Sequence, residues 1–113
     1  MNQKQSLSDQ RCVPCGGGVE PLSAPEIQEY LAELHCPWEV DNNTKIRHTF
    51  NFKDFDEAMY FVNEVAAVAE GEGHHPDIHI FFKKVVIELW THAINGLSAN
   101  DFILASKIET CDS

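Results

Sequence analysis

The chain has 113 residues, one domain's length, with 43% apolar and 23% charged side chains, the composition of an ordinary water-soluble globular protein. No apolar run approaches the ~20 residues of a membrane-spanning helix. Eighteen acidic against eight basic residues leave a net charge of -10, which repels phosphate backbones and argues against direct nucleic-acid binding.

The start, Met1 to Gln10, is polar and lacks the apolar stretch of a signal peptide, so a cytoplasmic protein with a loose N-terminal tail is expected. In that setting Cys12, Cys15, Cys36 and Cys111 read as free thiols or metal ligands rather than disulfides. Residues 1–21 carry Cys12-Val13-Pro14-Cys15 and then Gly16, Gly17 and Gly18, a flexible extension with little to bury. The globular domain is expected over 22–113.

Ser23-Ala24-Pro25-Glu26 is a capping box with proline in the first turn, and Ile27, Tyr30, Leu31 and Leu34 repeat at helical spacing up to Pro37. A hairpin follows. Trp38 to Val40 is short and extended, Asp41-Asn42-Asn43 is turn chemistry, and Lys45 to Phe52 alternates, with Ile46, His48, Phe50 and Phe52 on one face. Asp54 with Glu57 starts a second helix, for which Phe55, Met59, Val62, Ala66 and Ala69 are the expected buried stripe and Gly71 and Gly73 the stop. Two more strands are expected, Asp77 to Phe82 and Val85 to Thr91. Asn95-Gly96 forms a turn, and Ser98 with Asp101 caps a last helix that turns Phe102, Leu104, Ala105 and Ile108 inward. The order α-β-β-α-β-β-α predicts an α+β fold: a four-stranded antiparallel sheet with three helices packed on one face.

The chemistry concentrates around the second hairpin. Glu70-Gly71-Glu72-Gly73-His74-His75-Pro76 places adjacent histidines between a helix end and a strand, and Pro76 holds His75 extended. A two-residue loop at Lys83-Lys84 would pair Phe82 with Val85, Ile80 with Ile87 and Ile78 with Leu89, all apolar. On the other face it pairs His79 with Glu88, and two residues further it sets His75 opposite His92. Imidazoles ionise near working pH, so such a cluster can give a proton to one atom and take one from another.

Glu70, His74-His75-Pro76, Thr91-His92, Gly96-Leu97-Ser98, Asp101 and Leu104-Ala105 together resemble the pterin-4a-carbinolamine dehydratases over about residues 22–110. The resemblance implies an enzyme that eliminates water from a 4a-hydroxytetrahydropterin, leaving quinonoid dihydropterin, in tetrahydrobiopterin recycling. It implies His74, His75 and His92 as the active-site histidines, with the acid being His74 or His92 and His75 holding the pterin as candidate base. It implies Glu70, Pro76 and Asp101 as supporting residues and Trp38 as a tryptophan at the site edge. It further implies a homo-oligomer, dimer or tetramer, with no metal or organic cofactor. The family commonly has an aromatic residue where this chain has Ile78, and often an arginine where it has Asn100.

Singly, each residue has a plainer meaning. The three histidines could be surface or capping residues, Glu70 a solvated helix-end charge, and Asp101 a helix-dipole carboxylate. Trp38 and His48 suit a core, and His79 suits a cross-strand partner. Two other functions compete: a non-catalytic dimerisation cofactor or assembly-factor module of the same fold, and, behind it, a metal-binding adaptor. The adaptor rests on Cys12 and Cys15, which are half of a zinc site.

Overall fold

Ser23 reverses the chain into the first helix, α1 (Ala24–Leu31), because two polar groups satisfy each other there. Its hydroxyl accepts the Glu26 N–H while the Glu26 carboxylate accepts the Ser23 N–H at 2.9 Å. This computed structural model describes residues 6–13 and 20–112. Helix α1 stops at Leu31, a turn earlier than Pro37 requires. Leu34 and Cys36 follow in irregular chain that still packs on the core.

Strands β1 (Glu39–Asp41) and β2 (Lys45–Asn51) form the first hairpin, with Asn42 and Asn43 at φ 53° and 57° in the left-handed region that asparagine tolerates best after glycine. Asp54 then caps α2 (Phe55–Glu72) by accepting the Glu57 N–H at 2.8 Å. The face α2 buries is Ala58, Phe61, Val65 and Ala69. Of the expected stripe only Ala69 is fully buried, and Phe55 and Ala66 are exposed. Residues 58–69 are apolar almost all round, so two stripes about one residue apart fit the spacing. Contact with Phe50 and Phe52, whose rings lie 4.7 and 5.0 Å from Phe61, selects the one observed.

Strands β3 (Asp77–Phe81) and β4 (Lys84–Leu89) form the second hairpin, and β2 pairs with β4 to give the antiparallel order β1-β2-β4-β3. The register differs from the expected one by two residues: Ile80 faces Val85, Ile78 faces Ile87 and Asp77 faces Glu88. The turn is Phe82-Lys83 rather than Lys83-Lys84, with Phe82 at φ 55°. A slip of two keeps every side chain on its expected face. His79 therefore still meets Glu88 (2.9 Å), as a diagonal neighbour rather than a directly opposed one.

The last helix, α3 (Ala99–Cys111), begins with a second reciprocal cap between Ser98 and Asp101. It touches α1, α2 and the 3₁₀ turn Leu7–Asp9, and nearly all its residues from Asn100 to Glu109 are buried. The core lies between the helices and the sheet face carrying Ile46, Phe50, Val85, Ile87 and Leu89. Each such fully buried side chain contributes roughly 1.5–3 kcal/mol. The α+β architecture is the expected one.

Residues 6–13 depart from the expected loose tail. Leu7 is buried in the main core, Lys107 Nζ donates to the Ser8 carbonyl at 2.8 Å, and Cys12 N–H donates to Glu72 Oε1 at 2.8 Å. Cys15 and the glycine run lie outside the described residues.

Candidate active site

Two chain ends meet beside the open edge of the second hairpin. Gly73, at φ 69°, ends α2 in the left-handed conformation and releases His74 and His75 just before β3. On the other side β4 ends at Leu89. Thr91 then bridges to Gly96 around a 3₁₀ turn over His92–Ile94. Gly96 is needed there because a Cβ would lie 2.8 Å from Pro21.

A cavity of about 350 Å³ opens between these ends, lined by His74, His75, Trp90, His92, Val13 and Asn100 among others. The three histidines do share one cavity, although not by the predicted route. With the observed register β4 ends before His92, so His75 and His92 meet as loop residues rather than as cross-strand neighbours. A volume near 350 Å³ is at the lower end of small-ligand sites, which run from about 300 Å³.

Each histidine is held differently. His74 Nε2 lies 2.7 Å from Asp101 Oδ1, and Asp101 is wholly buried. The other carboxylate oxygen accepts the Thr91 hydroxyl at 2.8 Å and the Ser98 N–H at 3.0 Å. Thr91 Oγ1 is also 2.7 Å from Ser98 Oγ. A carboxylate is acceptor-only, so His74 donates its Nε2–H to Asp101, and Nδ1 remains to accept or carry a second proton. His75 Nε2 meets Glu70 Oε1 at 2.7 Å near the surface. His92 stacks on Trp90, with ring centroids 3.9 Å apart and planes 26° apart. Trp90 is oriented by Asp77 (Nε1 to Oδ2, 3.3 Å).

Pro76 links His75 to β3 and does not line the cavity. Trp38 lies elsewhere: it is 6% exposed, its ring centroid is 5.5 Å from that of His48 and 6.0 Å from that of Phe50, and its Nε1 donates to Glu109 Oε2 at 2.8 Å. In this chain it is a core residue and not part of the cavity wall.

Sequence reasoning missed Trp90, the Thr91–Ser98 contact and Val13. One signal was available. A capping box commits one Asp101 oxygen to the Ser98 N–H and leaves the other for a nearby loop.

Fold and cavity together define a small α+β protein with three histidines around one cavity. The family model described as pterin 4 alpha carbinolamine dehydratase matches residues 20–111. A protein of Rickettsia canadensis, provisionally named a pterin-4-alpha-carbinolamine dehydratase, is 47% identical over 104 residues, covering 92% of this chain and 95% of the relative. One of Alkaliphilus metalliredigens with the same provisional name is 43% identical over 104 residues, covering 92% and 94%. The crystal structure of a transcriptional coactivator/pterin dehydratase from Brucella melitensis superposes with a TM-score of 0.77 at 33% identity, covering 83% of this chain and 100% of that one. A pterin dehydratase-like protein identified as a RuBisCO assembly factor in the alpha-carboxysome shares the fold, with a TM-score of 0.61 at 20% identity over 70% of this chain and 93% of its own. The chain belongs to the pterin 4 alpha carbinolamine dehydratase family, whose activity is that of a hydro-lyase.

Proposed function

We propose that this chain dehydrates a 4a-hydroxytetrahydropterin to quinonoid dihydropterin, working in the cytoplasm as a homo-oligomer without metal or organic cofactor. The observation that carries the proposal is the meeting of His74, His75 and His92 in one cavity, with Asp101 buried behind His74. Hydroxide is a poor leaving group, so an imidazolium must protonate the C4a hydroxyl as the C–O bond breaks. The nitrogen next to C4a loses its proton, and its electron pair forms the new C=N bond. Water leaves, and atoms and charge balance. His74 or His92 acts as the acid. His75, oriented by Glu70, holds the pterin and takes the nitrogen proton. Asp101 keeps His74 in the tautomer with Nδ1 available.

The test is turnover of enzymatically generated 4a-hydroxytetrahydropterin. Replacing His74 and His92 together by alanine is expected to lower the rate by at least ~10²-fold while the fold survives. A double variant that keeps the wild-type rate rejects the site. A non-catalytic dimerisation or assembly module needs none of these three rings, which is why catalysis is the favoured function.

The metal adaptor has less support. Among the described residues no three metal-ligating His, Cys, Asp or Glu side chains converge, Cys12 included. The Cys12 Sγ instead lies 3.6 Å from the Asn100 carbonyl.

A further inference from the structure

Val13 reaches the histidine cavity from the far end of the chain. It is delivered by a strap, residues 6–13, pinned at several points to the helices that carry the site. Leu7 anchors one end in the core. Lys107 on α3 holds the Ser8 carbonyl, and Glu72, the last residue of α2, accepts the Cys12 N–H. The Glu72 carboxyl lies below the usual glutamate range chiefly because of that Cys12 N–H, with Lys107 and Arg11 adding to the effect.

The closest hold is at Asn100. Its Oδ1 accepts the Val13 N–H at 3.0 Å and its Nδ2 donates to the Val13 carbonyl at 2.6 Å. A carboxamide both donates and accepts from one flat end, whereas arginine only donates. Asn100 therefore pairs with Val13 as another peptide group would, at two points that do not depend on the Val13 side chain. Asn100 is 4% exposed with the strap in place, so both of its bonds to Val13 are shielded from competing water.

We propose that this strap is a substrate-positioning wall of the cavity: Asn100, acting through Val13, fixes the width of the mouth and presses the bound pterin toward the histidine rings. The proposal rests on the dehydratase function above. Val13 offers an apolar contact and Asn100 acts as a positioning residue; neither transfers a proton. A contact made equally in the ground and transition states lowers KM and leaves kcat alone.

The test uses the full-length chain, steady-state turnover of 4a-hydroxytetrahydropterin, and amide hydrogen exchange at Cys12 and Val13. Asn100→Leu is expected to speed exchange at both amides by more than ~10-fold and to raise KM by ~5-fold with kcat within ~2-fold. Val13→Ala, at an exposed side chain, is expected to leave exchange slow and raise KM by ~3-fold. Released amides with an unmoved KM overturn the proposal, as does a kcat collapse at constant KM, or amides that stay protected in Asn100→Leu. If Asn100→Leu does not fold, Val13→Ala decides alone, and an unchanged KM overturns the proposal. A wild-type protein without turnover rejects the dehydratase function and the strap's role with it. An active wild type whose KM ignores Val13→Ala removes the strap alone.

Discussion

His74 and Asp101 are 27 positions apart in sequence and 2.7 Å apart in space. Asp101 is fully buried and its second oxygen is occupied by Thr91 and Ser98, so the carboxylate has little freedom to turn. This fixes both the ring plane and the tautomer of His74, the arrangement by which a buried carboxylate serves a catalytic histidine. Asp101→Asn keeps the shape but puts an NH₂ group against either His74 or the Thr91–Ser98 donors. Against His74, it would pull the lone pair to Nε2 and leave the proton on Nδ1. A fall in kcat of about 10²-fold is expected, with one cooperative thermal transition retained. Unchanged kcat in a folded variant would mean that Asp101 is there only for the helix.

The outer sheet face carries a second cluster that bears on stability, not on catalysis. Burial pushes the Glu88 carboxyl up, but hydrogen bonds from His79 and Arg47 outweigh it and hold the carboxyl below the usual range. Arg47 Nε donates to Glu88 Oε2 at 2.7 Å. A depressed folded value means the contribution is complete above the unfolded value of about 4.3 and lost as pH falls through the folded one. Glu88→Gln is therefore expected to cost about 1 kcal/mol in urea unfolding at pH 7, with the gap to wild type closing at lower pH. A gap that stays constant from pH 7 to pH 3 would show that the charge contributes nothing.

These relationships were unequally legible in the sequence. The caps at Ser23, Asp54 and Ser98 were, because each is a side chain bonding a backbone group three residues away. The second hairpin's faces were legible and its register was not. Ile and Val pair equally well two residues apart, and the deciding event is Phe82 entering the left-handed region. The α2 stripe was ambiguous for the same reason: several rotations bury apolar side chains. The three histidines were visible as a motif, whereas the stacking of Trp90 on His92 was not, although their spacing of two puts them on one side of extended chain. The packing of residues 6–13 was not legible because their contacts run largely through backbone groups of Ser8, Cys12 and Val13, which composition does not display.

The far end of the second hairpin leaves apolar surface uncovered. Strand β3 is a sheet edge, and Ile80, Phe81 and Phe82 are 40%, 56% and 66% exposed. An unpaired edge beside exposed aromatic rings is a surface that self-association would bury. In sedimentation experiments the wild type is expected to run as a dimer or tetramer. Phe81→Ser combined with Phe82→Asn is expected to shift it toward the monomer. Asparagine tolerates the left-handed φ of residue 82 better than phenylalanine does, so misfolding would not explain the shift. An unchanged mass would rule this edge out as the interface.

Glu109 decides what Trp38 is for. One Glu109 oxygen accepts the His35 N–H at 3.0 Å, and the other accepts the Cys36 N–H at 2.7 Å and the Trp38 Nε1–H at 2.8 Å. This buried carboxylate thus closes the irregular chain between α1 and β1 onto α3, with Trp38 as part of the closure. Glu109→Gln offers one acceptor oxygen and an NH₂ group that must face at least one of these donors, an expected loss of about 1–3 kcal/mol. Trp38→Phe keeps the ring contacts and loses only the indole donor, so a smaller loss of about 1 kcal/mol is expected, or several degrees in Tm for a domain of this size. Since the indole is absent from the cavity lining, neither change should move KM for the hydroxypterin. A Trp38→Phe variant with wild-type Tm and a raised KM would reverse the assignment. It would return Trp38 to the substrate site, reached through an assembled neighbour rather than within its own chain.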